Sequence, residues 1–458
     1  MSAVRAFSLL LCVFFPAAAG AADAFVQLYL QPLAPDAARL TFQVASVSAV
    51  ASDGSERQLE LNLRTVGPPE SGRQRQLASG GIPAGSYAGF VVTIKAAALK
   101  GERGDVALVV PAAPVRITFP FSLSGRQAAL YWLVLDVRAS VADGFSFNPV
   151  LSVREPSRPI VGNAGFVTNT GSHAITVFDK HLGQAVAAIG GCGGPAGMAL
   201  DSGRRRLYVA CSADDEIQSI DMATGEVLER ARLSVGDRPR ELALAPDGVT
   251  LLSVNSGSGS VCLFKAGPLV LQDRIPVGNG PGSATFDESG SRAFVFNTLA
   301  SSISVIDIAG RTVTATVSTD AAPTRGLLGR RGDRLYVIHE RSPYLTVLDS
   351  RQLSLVTRAR LTSAASAVAL DRVRGLLCIG SSRGPDVEFY DPNALMPVYR
   401  MRTGAGASYL RVDLEGNTLY VVDGDDRRLV IGRLTDRKVV AAIDVGQRPY
   451  AVAVAGER

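Results

Sequence analysis

One pattern occurs seven times in the later part of this 458-residue chain, at nearly equal intervals. In each copy a short apolar run, such as GFVTN, LYVAC or LYVVD, precedes a polar turn. The final residues of these runs lie 41 to 44 positions apart: Asn169, Cys211, Asn255, Asn297, His339, Gly380 and Asp423. A period of this size indicates one supersecondary unit that is repeated and stacked on its neighbours.

Two further positions recur in the same register. A second apolar run ends in aspartate in five copies, with Lys265 and Arg433 in the other two. A proline begins another run in five copies, with Ala365 and Ala407 in the remaining two. The recurring residues are Asp179, Asp221, Asp307, Asp349 and Asp391, and Pro195, Pro239, Pro281, Pro323 and Pro449.

Each repeat contains four short apolar runs separated by turns rich in Gly, Asp, Asn and Ser. Their β-branched content, and the lack of a helical period, predict strands. Four strands in about 42 residues is the size of a propeller blade. Seven copies therefore predict a seven-bladed β-propeller over residues 156–458.

The end of the sequence predicts how this propeller closes. The final run, in RPYAVAVAGER, matches the run that follows proline in other copies and has no later run to pair with. It is predicted to pair with GFVTN of the first copy, which removes the exposed strand edge. The expected fold class is all-β, with an N-terminal antiparallel β-sandwich followed by a propeller closed through its first and last strands.

Residues 23–155 lie outside the repeat and read as six or seven alternating strands, among them YAGFVVTIKAA and LYWLVLDVRASV. This pattern predicts an antiparallel β-sandwich domain. The only tryptophan, Trp132, is predicted to pack within a core strand. A short linker with two prolines, residues 154–163, is expected to hold the two domains near each other.

Both regions resemble known families. The motifs LYV-x-N, I-x-V-x-D and V-G-x-x-P resemble YVTN-family propeller repeats, which occur in surface-layer and lactonase-like secreted propellers. The run GIPAGSYAGFVVTIKAA, followed by LYWLVLDVRASV, is similar to transthyretin-like and carboxypeptidase-regulatory-like sandwich domains of unknown function. The first resemblance implies the propeller fold and says little about activity. The second implies display or adhesion.

The first 22 residues predict an extracytoplasmic location. Arg5 precedes an apolar stretch and a small-x-small cleavage pattern at 19–21, so the mature chain is expected to begin near Ala22 or Asp23. A lipoprotein anchor at Cys12 is the less favoured alternative. No later run reaches the roughly 18 apolar residues of a membrane span. A formal net charge of +5 without a Lys/Arg-rich block does not predict nucleic-acid binding.

The residues around each proline, and the ends of the preceding runs, are predicted to ring one mouth of the central channel. Arginines there can hold a carboxylate, a phosphate or an acidic sugar, because a guanidinium pairs bidentately with planar anions. The alternative is that they pair with Asp237, Glu241 and Asp423 at a hydrated rim. The candidate ligand-binding residues are Arg238, Arg240, Glu241, Arg325, His339, Tyr409, Asp423, Arg448 and Tyr450.

Catalytic chemistry finds little support in the sequence. The three histidines, His173, His181 and His339, have no metal-ligand spacing, and no C-x-x-C-H motif for covalent haem is present. The G-x-S-x-G match at 380–384 falls between strands rather than before a helix. Propellers that bind pyrroloquinoline quinone usually carry tryptophans between blades, and the repeats contain none. We expect no metal, no cofactor and no catalytic residue.

Four cysteines follow the predicted signal peptide. Cys192 and Cys211 fall at the same rim of one predicted hairpin, where a disulfide and two free thiols are both open alternatives. Cys262 and Cys378 lie inside strands of different repeats and are predicted to be small buried apolar residues.

These observations favour a secreted, non-enzymatic protein of the cell envelope, periplasmic or at the cell surface. Its expected partner is an envelope or extracellular protein or an acidic glycan, bound at the channel mouth. The alternative is a periplasmic propeller enzyme of the lactonase or quinoprotein-like type. A deep pocket with His339 hydrogen-bonded to a carboxylate would favour the enzyme, whereas a shallow mouth lined by arginines would favour binding.

Overall fold

The computed structural model describes residues 23–34, 39–68, 70–101, 104–141, 143–404, 406–413 and 417–456. The predicted signal peptide lies outside the described residues. Ten strands form an N-terminal sheet, and seven four-stranded sheets follow. The helix α1 (Val137–Ser140) is a single turn after the ninth strand. The described chain is therefore almost entirely β-structure, as predicted.

The N-terminal strands form one curled sheet in the order β10-β9-β1-β5-β3-β2-β6-β7, with β4 beside β2 and β8 beside β6. The prediction was an antiparallel β-sandwich of six or seven strands. The difference arises because β3 pairs with both β2 and β5, and because β1 and β9 are parallel. The strands are β1 (Ala24–Leu30), β2 (Leu40–Ala51), β3 (Glu56–Leu61), β4 (Thr65–Val66), β5 (Arg75–Ile82), β6 (Gly85–Gly101), β7 (Gly104–Leu108), β8 (Val115–Leu123), β9 (Ala128–Asp136) and β10 (Val150–Arg154).

The seven remaining sheets are the blades of a propeller, which confirms the predicted number. From the axis outward, blades 1 to 3 are β38 (Pro449–Val454), β11 (Ala164–Asn169), β12 (Ala174–Asp179), β13 (Gln184–Ile189); β14 (Pro195–Asp201), β15 (Arg206–Cys211), β16 (Glu216–Asp221), β17 (Val227–Arg232); and β18 (Pro239–Leu244), β19 (Thr250–Asn255), β20 (Ser260–Lys265), β21 (Val270–Pro276).

Blades 4 to 7 follow in chain order, again from the axis outward. They are β22 (Pro281–Phe286), β23 (Arg292–Asn297), β24 (Ser302–Asp307), β25 (Thr312–Ser318); β26 (Pro323–Leu328), β27 (Arg334–His339), β28 (Tyr344–Asp349), β29 (Leu355–Arg360); β30 (Ala367–Asp371), β31 (Leu376–Gly380), β32 (Asp386–Tyr390), β33 (Pro397–Arg402); and β34 (Tyr409–Asp413), β35 (Thr418–Asp423), β36 (Arg428–Arg433), β37 (Lys438–Asp444).

The ring is closed by the last strand. β38 runs antiparallel to β11, with Phe166 opposite Ala453 and Val167 opposite Val452. The innermost strands then contact one another around the whole circle, including β14 with β38 and β34 with β38. The predicted pairing of PYAVAVA with GFVTN is confirmed.

The recurring Asn and Asp residues stabilise turns. The Asn169 side chain donates to the Ala174 carbonyl at 3.1 Å and to Thr176 Oγ1 at 3.0 Å, which fixes the turn between β11 and β12. Asp221 Oδ1 accepts the backbone N–H groups of Ala223 and Thr224, as expected for an aspartate that begins a turn. Similar backbone contacts are made by Asp179, Asp307, Asp349 and Asp391.

The curled sheet docks on the outer edge of blade 1. Gln74, which is buried, accepts the Ala185 N–H at 2.8 Å and donates to the Ala185 carbonyl at 3.1 Å. Trp132 Nε1 donates to the same carbonyl at 2.9 Å. Trp132 therefore packs between the two domains, rather than only within its own strand. The side chains take the place of a fifth strand, so the open edge of β13 is covered.

A second contact ties the sheet to blade 7. Asp444 Oδ2 accepts hydrogen bonds from Arg75 Nε at 2.8 Å and from the Gln76 backbone N–H at 2.9 Å. The Tyr29 hydroxyl donates to the Asp444 carbonyl at 2.8 Å, and burial together with Asp444 raises the pKa of Tyr29. The N-terminal sheet thus contacts the outer strands of the two blades between which the ring closes.

Replacing Val452 by Asp tests the closure. Val452 is 2% exposed in β38, so Val452→Asp would bury an unpaired carboxylate in the closing strand. We expect the free energy of unfolding to fall by about 3–5 kcal/mol. Val440→Asp, at a position 49% exposed on the outer strand β37, should cost less than about 1 kcal/mol. Equal losses in denaturant titrations followed by circular dichroism would contradict the closure.

Candidate binding site at the channel mouth

The predicted site residues lie near one rim of the propeller because of strand direction. Each innermost strand begins at this rim, five of the seven with a proline, and the neighbouring strand ends there. Pro449 lies opposite Asn169, Pro239 opposite Asn255, and Pro323 opposite His339. The residues that follow the prolines therefore face the central channel at one end of it.

Five of the nine predicted residues contact one another across the channel. Arg325 Nη2 lies 2.7 Å from Glu241 Oε2, and the Arg325 guanidinium carbon lies 4.4 Å from the centre of the Tyr409 ring. Arg240 Nε donates to the Tyr450 hydroxyl at 3.1 Å. We call these five residues the channel cluster: Arg240, Glu241, Arg325, Tyr409 and Tyr450.

The contacts of the channel cluster join blades that are not neighbours. Glu241 and Arg240 belong to blade 3, Arg325 to blade 5, Tyr409 to blade 7 and Tyr450 to blade 1. Each contact therefore passes over the innermost strand of an intervening blade. The cluster crosses the channel near its mouth instead of lining one wall.

The channel cluster holds charged arginines and neutral tyrosines at neutral pH. Burial disfavours the charged form of Arg325, but Glu241 and the nearby tyrosine hydroxyls outweigh it, and the pKa of Arg325 is raised. Burial, followed by the negative charge of Glu241, raises the pKa of both Tyr409 and Tyr450. The pKa of Arg240 is raised chiefly by Tyr450.

The alternative, in which carboxylates at the rim pair with the mouth arginines, holds only for Arg325. Asp237 is paired with Arg274, its carboxylate oxygens 2.5 and 2.6 Å from the guanidinium nitrogens. Asp423 accepts the backbone N–H groups of residues 425 and 426, and its other oxygen faces Arg428 at 3.7 Å. Within the described ranges, no carboxylate lies within 4 Å of three mouth arginines: Arg238, Arg240 and Arg448.

Arg238 and Arg448 immediately precede their prolines and are exposed. Both have left-handed backbones, with φ values of 48° and 51°. Such a conformation is costly for a residue with a side chain and needs support from its surroundings. Asp215 accepts the Arg238 N–H at 2.7 Å, and the Arg448 carbonyl accepts the Thr170 N–H at 3.0 Å.

The prediction that His339 and Asp423 line the mouth does not hold. Their side chains are 0% and 3% exposed, because each lies beneath the turn that follows its strand. His339 Nδ1 is 3.2 Å from the Tyr344 carbonyl, at the position that Asn occupies in blades 1, 3 and 4. Sequence reasoning also missed Arg411. It is exposed two positions after Tyr409, and the alternation of side chains along β34 places both on one face.

Cys192 and Cys211 are joined by a disulfide, with their Cα atoms 5.2 Å apart. Cys262 and Cys378 are buried, and burial raises the pKa of both thiols. Over the residues that the structure covers, no group of three His, Cys, Asp or Glu side chains is placed to hold a metal. No helix in that part of the chain is long and apolar enough to cross a bilayer.

No protein-family model matches this sequence, and no curated protein matches it. Several solved structures are similar. A functionally unknown protein from Desulfotomaculum acetoxidans is 12% identical over 65% of this chain and 100% of its own, with a TM-score of 0.58. Dihydro-heme d1 dehydrogenase NirN in complex with DHE is 17% identical over 66% and 78%, with a TM-score of 0.51.

Hydrazine synthase from Kuenenia stuttgartiensis is also similar. It is 17% identical over 56% of this chain and 88% of its own, with a TM-score of 0.50. At such identities the similarity shows the fold alone. The chain is thus a seven-bladed β-propeller protein with an N-terminal curled sheet.

The pair formed by Arg325 and Glu241 generates a stability prediction. Glu241 is 3% exposed, so Arg325→Ala leaves a buried carboxylate without its partner. We expect the free energy of unfolding to fall by about 3 kcal/mol, and the double variant Arg325→Ala/Glu241→Ala to recover much of that loss. Denaturant titrations measure both changes. Additive losses would show that the two side chains do not interact.

His339 generates a pH prediction. Burial lowers its pKa below the ordinary value of about 6.5, so acid protonates this residue in the unfolded chain before it does so in the folded protein. His339 should therefore cost stability as the pH falls below about 6.5. His339→Asn should flatten the loss of melting temperature between pH 7 and pH 5. An unchanged pH dependence in this variant would contradict the prediction.

Proposed function

We propose that this protein is an extracytoplasmic binding protein, whose propeller mouth holds the anionic groups of an envelope protein or an acidic glycan. The observation that carries the proposal is the set of arginines at the mouth without a carboxylate partner among the described residues. Of these three cations, Arg240 belongs to the channel cluster, whose one carboxylate, Glu241, is already paired, and Arg238 and Arg448 lie at the mouth beside it.

The chemistry of these side chains fits carboxylates. Arg240 has one donor committed to Tyr450, and its remaining guanidinium donors can bind the two oxygens of a planar anion. Arg238 and Arg448 present exposed guanidinium groups from backbones that are held by hydrogen bonds. A ligand with several carboxylates can engage more than one of them at once.

The location rests on the sequence. The apolar stretch and small-x-small pattern in residues 1–22 support export, and the repeat motifs resemble those of YVTN-family secreted propellers. The resemblance of the N-terminal region to transthyretin-like domains supports a role in display. In this proposal the curled sheet is the attachment module, and the mouth of the propeller is the recognition surface.

A propeller enzyme acting at the same mouth is the second candidate. Two of the similar solved structures are enzymes by name, a hydrazine synthase and a dihydro-heme d1 dehydrogenase. His339 would be the obvious general base for lactonase-like chemistry. It faces a backbone carbonyl rather than a carboxylate and is fully buried, so binding is the function favoured here.

A triple substitution tests the proposed function. Arg238→Ala/Arg240→Ala/Arg448→Ala removes the three cations without breaking the pair of Arg325 and Glu241. We expect binding to polygalacturonate, a polymer of carboxylated sugars, to weaken at least about tenfold, because charge-assisted hydrogen bonds are lost. Binding is measured by biolayer interferometry at fixed salt, since ionic strength screens such contacts.

The matched control removes three arginines from the outer strands, with the same change in net charge. Arg232→Ala/Arg360→Ala/Arg402→Ala alters exposed residues far from the axis and should bind as the wild type does. Equal losses in both variants would show that binding depends on the overall charge of the protein rather than on the three arginines at the mouth. That result would contradict a site at the mouth.

A further inference from the structure

Four exposed arginines lie at the rim opposite the mouth, in the turns of blades 5 and 6. Arg330 and Arg331 are in the turn between β26 and β27, Arg351 is between β28 and β29, and Arg372 is between β30 and β31. Across the described segments, no carboxylate lies within 4 Å of any of them. We call these four residues the basic turn patch.

The three turns of the patch touch one another. Ser350 Oγ donates to the Gly332 carbonyl at 2.6 Å, and the Ser350 N–H donates to the Asp333 carbonyl at 2.9 Å. Arg330 Nη1 lies 3.5 Å from the position that a Cβ atom on Gly375 would occupy. The turns of two neighbouring blades therefore form one continuous surface.

Two large apolar side chains are exposed on the same rim. Val373, between Arg372 and Arg374, is 61% exposed. Met396, in the turn between β32 and β33, is 64% exposed. The Tyr336 hydroxyl donates to the carbonyl of the nearby Pro392 at 3.0 Å, which holds the Met396 turn of blade 6 against blade 5. Apolar residues among arginines are typical of surfaces that meet lipid headgroups.

The acidic residues in these turns leave the patch positive. Asp371 is paired with Arg374 at 3.0 Å, and Asp349 and Asp391 accept the N–H groups of their own turns. Asp333, Asp349 and Asp391 still carry their charges, but they are half-buried. Among the exposed charged side chains around these turns, the four arginines therefore face only Glu288, which lies beside Gly332. The local charge therefore favours an anionic partner.

The described contacts of the curled sheet with the propeller are on blades 1, 2 and 7, away from the patch. Turns at one rim of a propeller end at a similar height, so together they present a broad surface. A planar partner can contact such a surface over more of its area than it could contact a narrow groove. A rounded partner would touch fewer of them at a time.

We propose that the basic turn patch docks the propeller onto an anionic lipid surface. The arginines pair with lipid phosphates, and Val373 and Met396 enter the headgroup region. The apolar stems of the arginines follow them while the guanidinium groups stay at phosphate level. The channel mouth then faces away from the bilayer. This proposal does not depend on what the mouth binds.

Vesicle sedimentation of the full chain tests the proposal. The wild type should bind phosphatidylcholine vesicles that contain phosphatidylglycerol, and should not bind pure phosphatidylcholine. Arg331→Glu/Arg351→Glu/Arg372→Glu should lower the partition coefficient at least about tenfold, since each arginine near an anionic surface contributes about fivefold. Arg232→Glu/Arg360→Glu/Arg402→Glu is the control, with an equal change in net charge, and should retain most of the binding.

A second variant separates lipid from other polyanions. Val373→Ser/Met396→Ser keeps every charge and should weaken vesicle binding severalfold, while binding of soluble heparin stays unchanged. Absence of wild-type binding to the anionic vesicles would overturn the proposal. So would equal loss in the two charge-reversal variants, or vesicle binding that does not respond to the apolar substitutions. Circular dichroism of each variant establishes that it is folded.

Discussion

The antiparallel pairing of β38 with β11 is the contact on which the rest of the structure depends. It joins strands from the two ends of the propeller sequence, with Val452 opposite Val167, and brings the innermost strands of blades 1, 2 and 7 together. Without it the array would have open strand edges and no central channel. The N-terminal sheet reinforces this region, since it covers the outer edge of blade 1 and binds Asp444 of blade 7.

Closure also creates the electrostatics of the mouth. Arg325 and Glu241 come from blades separated by a third, and their 2.7 Å contact reaches across the channel. The same geometry brings Tyr450 of the closing strand to Arg240. One buried ion pair, two tyrosines and Arg240 occupy the channel, and Arg238 and Arg448 are exposed at its mouth. The proposed anion-binding surface depends on this division, because Glu241, the one carboxylate of the channel cluster, is already paired.

The sequence was most informative where a feature is repeated. Seven copies predicted seven blades, and the unmatched PYAVAVA run predicted closure, because strand pairing leaves a periodic pattern. His339 and Asp423 show the limit, since a repeat period gives a residue's position along a strand but not which way its side chain points. The ion pair of Arg325 and Glu241 could not be predicted, because the sequence around each residue does not indicate its partner. Domain docking could have been predicted from β13. Its sequence, QAVAAI, lacks the alternation of polar residues seen in VLERAR of β17, as expected for an outer strand that is covered.

Hydrogen exchange of the backbone amides tests the closed ring most directly. Amides of β38 that pair with β11 should exchange as slowly as the paired amides of β14, the innermost strand of blade 2, because both strands open only when the propeller unfolds. Mass spectrometry of peptides spanning 449–454 and 195–201 gives this comparison. Exchange in 449–454 that is orders of magnitude faster than in 195–201 would show that the last strand does not close the ring.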